Sequence, residues 1–143
     1  MKTLQHILDD KKHKEVISIA PNRPVFDALI ILAEYKIGAL AVVQNDQLVG
    51  IFSERDYARE VILQGRSSKT TQISEVMTAK VISGKPDDMV DKSMSLMSEN
   101  NIRHLPVMDG ENLVGMLSLG DLVKETIAYQ QRLIAELESY IKG

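Results

Sequence analysis

Two short segments of the chain repeat the same polar residues at the same spacing. In each, a serine precedes an aspartate by three positions: Ser53 with Asp56, and Ser118 with Asp121. Serine is a preferred helix N-cap, and an acidic side chain in the first turn suits the helix dipole. The free N–H groups of such a helix start also suit an anion, and the carboxylate can accept hydrogen bonds from two ribose hydroxyls. The pattern indicates helix capping, either alone or combined with a site for a ribose phosphate.

Both segments belong to an internal repeat, which indicates that the same structural unit occurs twice in the fold. A shift of 65 positions, which brings Asp56 onto Asp121, aligns the two halves of the chain without a gap. The alignment also matches Pro21 with Pro86, Glu34 with Glu99, and Gly50 with Gly115. Chance similarity among apolar residues does not explain matched proline, glycine and aspartate.

Each copy predicts the element order β-α-β-β-α, so we expect an α/β fold of the α+β type. Apolar residues at three- and four-residue spacing predict the first helix, a polar hairpin joins the next two strands, and the second helix begins at Ser53 or Ser118. The predicted strands are residues 16–19, 39–43 and 48–52, then 81–83, 105–108 and 113–117. The copies are expected to pack sheet against sheet about a pseudo-two-fold axis.

Helices are expected to flank the two copies. The predicted organisation is an N-terminal helix in 1–14, the first copy at 15–63, a linker at 64–76 with a helical turn at 72–77, the second copy at 77–125, and a C-terminal extension at 126–143. The last helix is expected from about Ser118 to Tyr140. It carries an apolar stripe at Val123, Ile127, Leu133, Ile134, Leu137 and Ile141.

That stripe needs a packing partner, because a lone helix of this kind is marginal in water. One candidate is the N-terminal helix, through Leu4, Ile7 and Leu8. The other is a second copy of the chain. Closed two-fold dimers are the commonest assembly, so a homodimer is expected.

Composition excludes several classes of protein. The 143 residues are 44% hydrophobic and 26% charged, which is typical of a folded globular protein. There is no cysteine, so disulfides, cysteine-ligated metals and thiol nucleophiles are excluded, and no histidine pair has metal-ligand spacing with acids. A net charge of −3 argues against nucleic-acid binding. Because neither a membrane span nor a signal peptide is apparent, the cytoplasm is the expected compartment.

The chain resembles a tandem pair of cystathionine-β-synthase (CBS) domains over about residues 15–125. The second copy carries the pattern as Ile102-Arg103-His104-Leu105-Pro106-Val107, Leu113-Val114-Gly115 and Ser118-x-x-Asp121. The first copy carries it as Ile37-Gly38-Ala39-Leu40-Ala41-Val42, Leu48-Val49-Gly50 and Ser53-x-x-Asp56. It departs from the pattern at Ala41, where proline is usual. The resemblance implies an adenosine-containing ligand (AMP, ADP, ATP, NAD(H) or S-adenosylmethionine) between the copies, a homodimer, and a sensor that acts on a protein partner.

The resemblance also implies which residues contact the ligand. Asp56 and Asp121 match the aspartate that contacts ribose, and Ser53 and Ser118 match the hydroxyl beside phosphate or ribose. The residues implied to flank the adenine are Ile17, Ser18, Ile82 and Ser83. The implied second wall is Gly38, Ala39 and Leu40 in the first copy, and Arg103, His104 and Leu105, with Pro106, in the second.

Four cationic or titratable side chains are candidates to hold a phosphate. Arg55 offers a fork of donors, although a surface ion pair with neighbouring acids explains it equally well. Arg103 and His104 directly precede an apolar strand, where solvated charge is less expected, and we expect at least one of them to contact phosphate. The alternative for His104 is a neutral core histidine. Lys80 is a further candidate.

The sequence is consistent with three functions, which it favours unequally. The first is an adenine-nucleotide sensor that works through a partner protein. The second is an interaction or dimerisation module whose ligand sites are vestigial. The third, an enzyme, is disfavoured because the sequence offers no nucleophile–base pair, glycine-rich phosphate loop or metal cluster, so no catalytic residue is assigned.

Overall fold

The computed structural model describes residues 2–11 and 15–143. These residues form two compact units. The first-repeat unit comprises residues 15–82 and 111–113, and the second-repeat unit comprises residues 2–11, 83–110 and 114–143.

Both units contain helices and strands. In chain order the elements are α1 (Leu4–Asp10), β1 (Ser18–Ile19), α2 (Val25–Tyr35), β2 (Ala39–Gln44), β3 (Gln47–Ser53), α3 (Glu54–Asp56) continued by a π-helix (Tyr57–Ile62), α4 (Ile73–Val76), α5 (Val90–Glu99), β4 (His104–Asp109), β5 (Asn112–Ser118) and α6 (Leu119–Lys142). The predicted α/β class is confirmed.

A three-stranded sheet forms the centre of the first-repeat unit. β1 runs parallel to β2, with Ile19 opposite Val42, and β2 runs antiparallel to β3. Asn45 and Asp46 join β2 to β3 with φ of 52° and 62°, the left-handed pair that suits a two-residue hairpin. The buried core of this unit consists of Ile19, Val25, Ala28, Leu32, Leu40, Val42, Phe52, Val61, Ile73 and Val76. The predicted strands at 39–43 and 48–52 are confirmed, each slightly longer than expected.

The second-repeat unit contains β4 and most of β5. The strand predicted at 81–83 was wrong. Those residues form no strand, and the pairing is reduced to one parallel bridge between Gly84 and Val107. Beyond the bridge the chain turns towards α1, because the carbonyls of Pro86 and Asp88 accept N–H groups from the start of that helix. The opening strand of the first copy is also shorter than predicted, at Ser18–Ile19.

Each unit includes a short helix that precedes the other repeat in the sequence. α1 precedes the first repeat but packs in the second-repeat unit, where Leu4 and Ile7 are buried. α4 precedes the second repeat but packs in the first-repeat unit, where Ile73 and Val76 are buried. An antiparallel bridge holds the start of each helix against its unit. α4 confirms the predicted helical turn and contributes to the core.

The matched glycines of the repeat lie where β3 and β5 pass close to the segments of these short helices. A Cβ on Gly50 would lie 2.6 Å from Sδ of Met77, the residue that follows α4. A Cβ on Gly115 would overlap the Leu8 side chain of α1. The glycine at each position therefore permits a strand and a helix to approach closely.

α6 is the longest helix, with 24 residues that span about 36 Å at about 1.5 Å per residue. Leu122 in its second turn is fully buried, whereas every side chain from residue 131 onward is exposed. The alternative in which α1 covers the apolar stripe was wrong, because Leu4 and Ile7 face the core of the second-repeat unit. The stripe stays open, with Ile134 and Leu137 56% and 61% exposed.

Candidate functional site

The two Ser-x-x-Asp segments form reciprocal capping boxes at the starts of α3 and α6. The backbone N–H of Ser53 donates to Oδ2 of Asp56 at 2.9 Å, and the N–H of Asp56 donates to Oγ of Ser53 at 3.2 Å. The Ser118 and Asp121 pair makes the same two bonds at 2.8 and 3.2 Å. The capping interpretation is confirmed. Both carboxylates are half-buried and held in one orientation by the backbone.

The third partner of the carboxylate differs between the two units. In the first-repeat unit the hydroxyl of Thr78 donates to Oδ1 of Asp56 at 3.1 Å. In the second-repeat unit the ammonium of Lys11 donates to Oδ2 of Asp121 at 3.1 Å and to the carbonyl of Met116, also at 3.1 Å. A neutral donor therefore approaches one carboxylate, and a cation pairs with the other.

The pKa of the Asp121 carboxyl lies below its ordinary value. Partial burial acts to raise this pKa, but the N–H of Ser118 and the ammonium of Lys11 stabilise the charged form and outweigh burial. Because the folded pKa is lowered, the ionised carboxylate stabilises the fold above its unfolded pKa of about 4. That stabilisation is lost as the pH falls through the folded pKa.

We expect Lys11→Met to lower the free energy of unfolding by about 1 kcal/mol at pH 7, the upper end for partly exposed ion pairs. Methionine keeps most of the aliphatic stem, so the loss comes from the charge. The deficit should shrink as the pH falls below about 4, because a protonated Asp121 no longer attracts the ammonium. Urea unfolding at several pH values measures it, with Lys92→Met, an exposed lysine on α5, as control. A deficit that does not depend on pH would contradict the ion-pair role.

Each unit places the segment that precedes its hairpin beside its capped helix start. The carbonyl of Gly38 accepts the N–H of Glu54 at 3.0 Å. The carbonyl of Arg103 accepts the N–H of Leu119 at 2.8 Å, at the equivalent position of the repeat. The predicted wall residues and the predicted ribose carboxylate are thus neighbours within each unit.

The other predicted site residues differ in exposure. The exposed ones are Ser18, Lys80, Ser83 and Arg103; the half-buried ones are Ile17, Gly38, Ser53, Arg55, Ile82, His104 and Ser118; the buried ones are Ala39, Leu40, Leu105 and Pro106. The buried side chains of these strand residues pack into the core of their unit. A ligand beside the strands would therefore contact their backbone atoms. Lys80 and Ile82 belong to the first-repeat unit, whereas Ser83 belongs to the second.

Sequence reasoning missed Lys11 and Thr78. Each follows a short helix that packs against its unit: Lys11 directly after α1, and Thr78 two residues after α4. The available signal was the pair of apolar residues three positions apart in each helix, which marks α1 and α4 as equivalent entry helices. The predicted repeat began only at residue 15, which left α1 outside it.

Residues 2–11 and 15–143 contain no group of three or more acidic or histidine side chains placed to hold a metal ion. None of the helices among these residues is both long and apolar enough to cross a bilayer.

Known proteins share both the sequence pattern and the fold. The CBS domain profile matches residues 11–63 and 73–127. The mitochondrial CBS domain-containing protein CBSX3 of Arabidopsis thaliana is 40% identical over 124 residues, which cover 83% of this chain and 60% of the plant protein. This chain therefore spans less than two thirds of that relative.

Two solved structures extend the comparison. A protein with CBS domains from Burkholderia ambifaria superposes with a TM-score of 0.86 at 48% identity, covering 89% of this chain and 95% of that one. The CBS domain pair of protein MJ0100, solved with 5′-methylthioadenosine and S-adenosyl-L-methionine, superposes with a TM-score of 0.79 at 28% identity. The match covers 90% of this chain and 98% of that one. With two matched domains that occupy most of its length, this chain belongs to the CBS domain family.

Proposed function

We propose that this chain is a regulatory module that binds an adenosine-containing ligand at the two capped helix starts. The observation that carries the proposal is the shared geometry of Asp56 and Asp121, each oriented by the backbone N–H of its own capping serine. The occurrence of methylthioadenosine and S-adenosylmethionine on protein MJ0100 supports the same ligand class.

The capping geometry suits ribose because the acceptor is already in place before the ligand arrives. A carboxylate fixed by its own helix start loses little side-chain entropy on binding, so more of the interaction appears as affinity. A hydrogen bond from a ribose hydroxyl to a charged acceptor is worth about 1.5–3 kcal/mol. The carbonyls of Gly38 and Arg103 accept the N–H groups of Glu54 and Leu119, so the predicted wall residues adjoin the same two helix starts.

Several finer features stay predictions. They include the choice among AMP, ADP, ATP, NAD(H) and S-adenosylmethionine, phosphate contacts by Arg55, Arg103, His104 or Lys80, and adenine contacts along residues 17–18 and 82–83. The protein partner through which the module would act and a cytoplasmic location are also predictions. A role in regulation without catalysis is part of the same proposal.

Calorimetry with a panel of adenosine ligands tests the proposal. We expect saturable heat with at least one of AMP, ADP, ATP, NAD(H), 5′-methylthioadenosine and S-adenosylmethionine, and none with GMP, which has the same ribose phosphate but another base. At 100 times its dissociation constant, that ligand should stabilise the fold by about 2.7 kcal/mol, seen as a raised melting temperature. No heat from any ligand at millimolar concentration would favour the second candidate function.

The second candidate is an interaction or dimerisation module with vestigial ligand sites. One observation favours it: the open apolar stripe of α6, where Ile134, Leu137 and Ile141 are 56%, 61% and 82% exposed. Exposed apolar surface of this kind marks an interaction site. The two functions are compatible, because the stripe and the capped helix start occupy different parts of α6.

A further inference from the structure

The exposed stripe of α6 follows a seven-residue period. With Ile127, Ile134 and Ile141 at the a positions of a heptad, the d positions are Val123, Gln130 and Leu137. Hydrophobic a and d positions that recur at this period are the pattern of a left-handed coiled coil. The CBS profile ends at residue 127, so most of this seam lies outside the part of the chain that matches the family.

We propose that the seam binds the seam of a second copy of this chain in an antiparallel coiled coil. An antiparallel pair sets each a residue against a d residue of the other chain. In the register centred on residue 132, Ile141 packs on the partner's Val123. Likewise, Ile127 packs on the partner's Leu137, and Ile134 packs on the partner's Gln130. All three layers form twice, because the pair has two-fold symmetry.

The residues that flank the seam decide the orientation. The e positions are Lys124, Gln131 and Glu138, and both charged side chains are exposed. In the antiparallel register Lys124 lies beside the partner's Glu138, and symmetry repeats this opposite-charge pair at the other end. A parallel pair would instead set Leu133 beside the partner's Glu138 and would leave Lys124 without a matching acid. Charge complementarity therefore selects the antiparallel arrangement.

A second copy explains the surface better than the chain's own N-terminal helix does. The apolar side of α1 is already used, since Leu4 and Ile7 are 0% and 6% exposed. Leu133, at the g position, is 40% exposed and lies next to the proposed two-fold axis, where it would meet the partner's Leu133. The pairing of Lys124 with the partner's Glu138 forms only when α6 packs against α6 of a second copy.

Charge reversal tests the register. We expect sedimentation to show a dimer of twice 16.0 kDa at micromolar concentration. Lys124→Glu and Glu138→Lys should each weaken dimerisation by about tenfold, and the double variant should restore it, because the opposite charges are exchanged. Glu136→Lys, at an outer c position of the same helix, is the matched control and should leave dimerisation unchanged. A wild-type monomer, or a double variant as weak as the single ones, would overturn the proposal.

Disulfide trapping tests the orientation independently, because the chain has no cysteine of its own. Val123→Cys and Ile141→Cys chains should each stay uncrosslinked alone, since like positions lie about 27 Å apart at about 1.5 Å per residue in an antiparallel pair. Mixed under reducing conditions and then oxidised, the two should form a crosslinked heterodimer. Crosslinking of each variant alone would show a parallel pair and overturn the proposal. No crosslink in any sample, with circular dichroism like wild type, would place the interface elsewhere and also overturn it.

Discussion

The Asp56→Ala/Asp121→Ala double variant is expected to bind the adenosine ligand at least roughly 100-fold more weakly than the wild-type chain. Each carboxylate is proposed to accept the hydroxyls of one ribose, and a hydrogen bond to a charged group contributes about 1.5–3 kcal/mol. Two such bonds lost at a site correspond to about 100-fold or more in affinity. Calorimetry on the ligand identified by the panel measures the effect. The two single variants would then report whether one or both units carry a site.

The alanine variants also remove half of each capping box, so a control must separate capping from ligand contact. Asp56→Asn and Asp121→Asn keep an acceptor for the N–H of the capping serine but lose the charge. We expect Asp56→Asn to melt near the wild-type temperature and Asp121→Asn to lose about 1 kcal/mol of stability together with the Lys11 ion pair, yet both should bind roughly tenfold more weakly. Glu136→Ala, which removes an exposed acid in the middle of α6, should change neither property. Wild-type affinity in the alanine variants would show that the ligand, if it binds, does so elsewhere.

Phe52→Ala is expected to lower the free energy of unfolding by about 3–5 kcal/mol. Phe52 is fully buried in β3 and belongs to the core of the first-repeat unit. Its removal deletes buried apolar area and leaves a cavity that the surrounding sheet can only partly fill. The loss is a large share of the roughly 5–15 kcal/mol that stabilises a typical domain. Urea unfolding monitored by circular dichroism measures it.

The other phenylalanine of the chain is the matched control. Phe26 lies on α2 and is 39% exposed, with the Lys69 ammonium 5.4 Å from its ring centre. Phe26→Ala should therefore cost clearly less than Phe52→Ala, since more than a third of Phe26 already lies in water and its exposed cation–π contact is worth about 0.5–1 kcal/mol. Equal losses in the two variants would contradict the placement of Phe52 in the core.

Local features of this protein could be predicted from the sequence because their causes are local. The apolar spacing at Val25 and Val90 predicted α2 and α5, and the polar turns between apolar runs predicted both hairpins. Ser53 and Ser118 cap the helices that begin after them, because the serine and the aspartate of each box are only three residues apart. The 65-residue offset between the repeats also relates their parallel pairs. Ile19 lies opposite Val42 in the first repeat, and Gly84 lies opposite Val107 at the equivalent positions of the second.

Tertiary structure alone decided how far each element extends and which partners meet. The strand expected at 81–83 is reduced to one bridge because the following backbone bonds to α1, a segment about 80 residues earlier in the chain. α1 was one of two candidate partners for the α6 stripe, the other being a second copy of the chain, but the apolar side of α1 is buried in the second-repeat unit. Apolar periodicity shows that a helix has a face to bury, and it does not identify the surface that buries it.

The two proposed ribose carboxylates illustrate the same division. The equivalence of Asp56 and Asp121, and the capping of each helix start by its own aspartate, follow from residues three positions apart in the chain. Only the fold decided that Thr78, 22 residues from Asp56, donates to one carboxylate, and that Lys11, 110 residues from Asp121, pairs with the other. Capping depends on neighbours in the chain, which a sequence displays directly. A contact across 110 residues depends on how α1 packs, and that packing results from the burial of Leu4 and Ile7 in a core built largely from the other end of the chain.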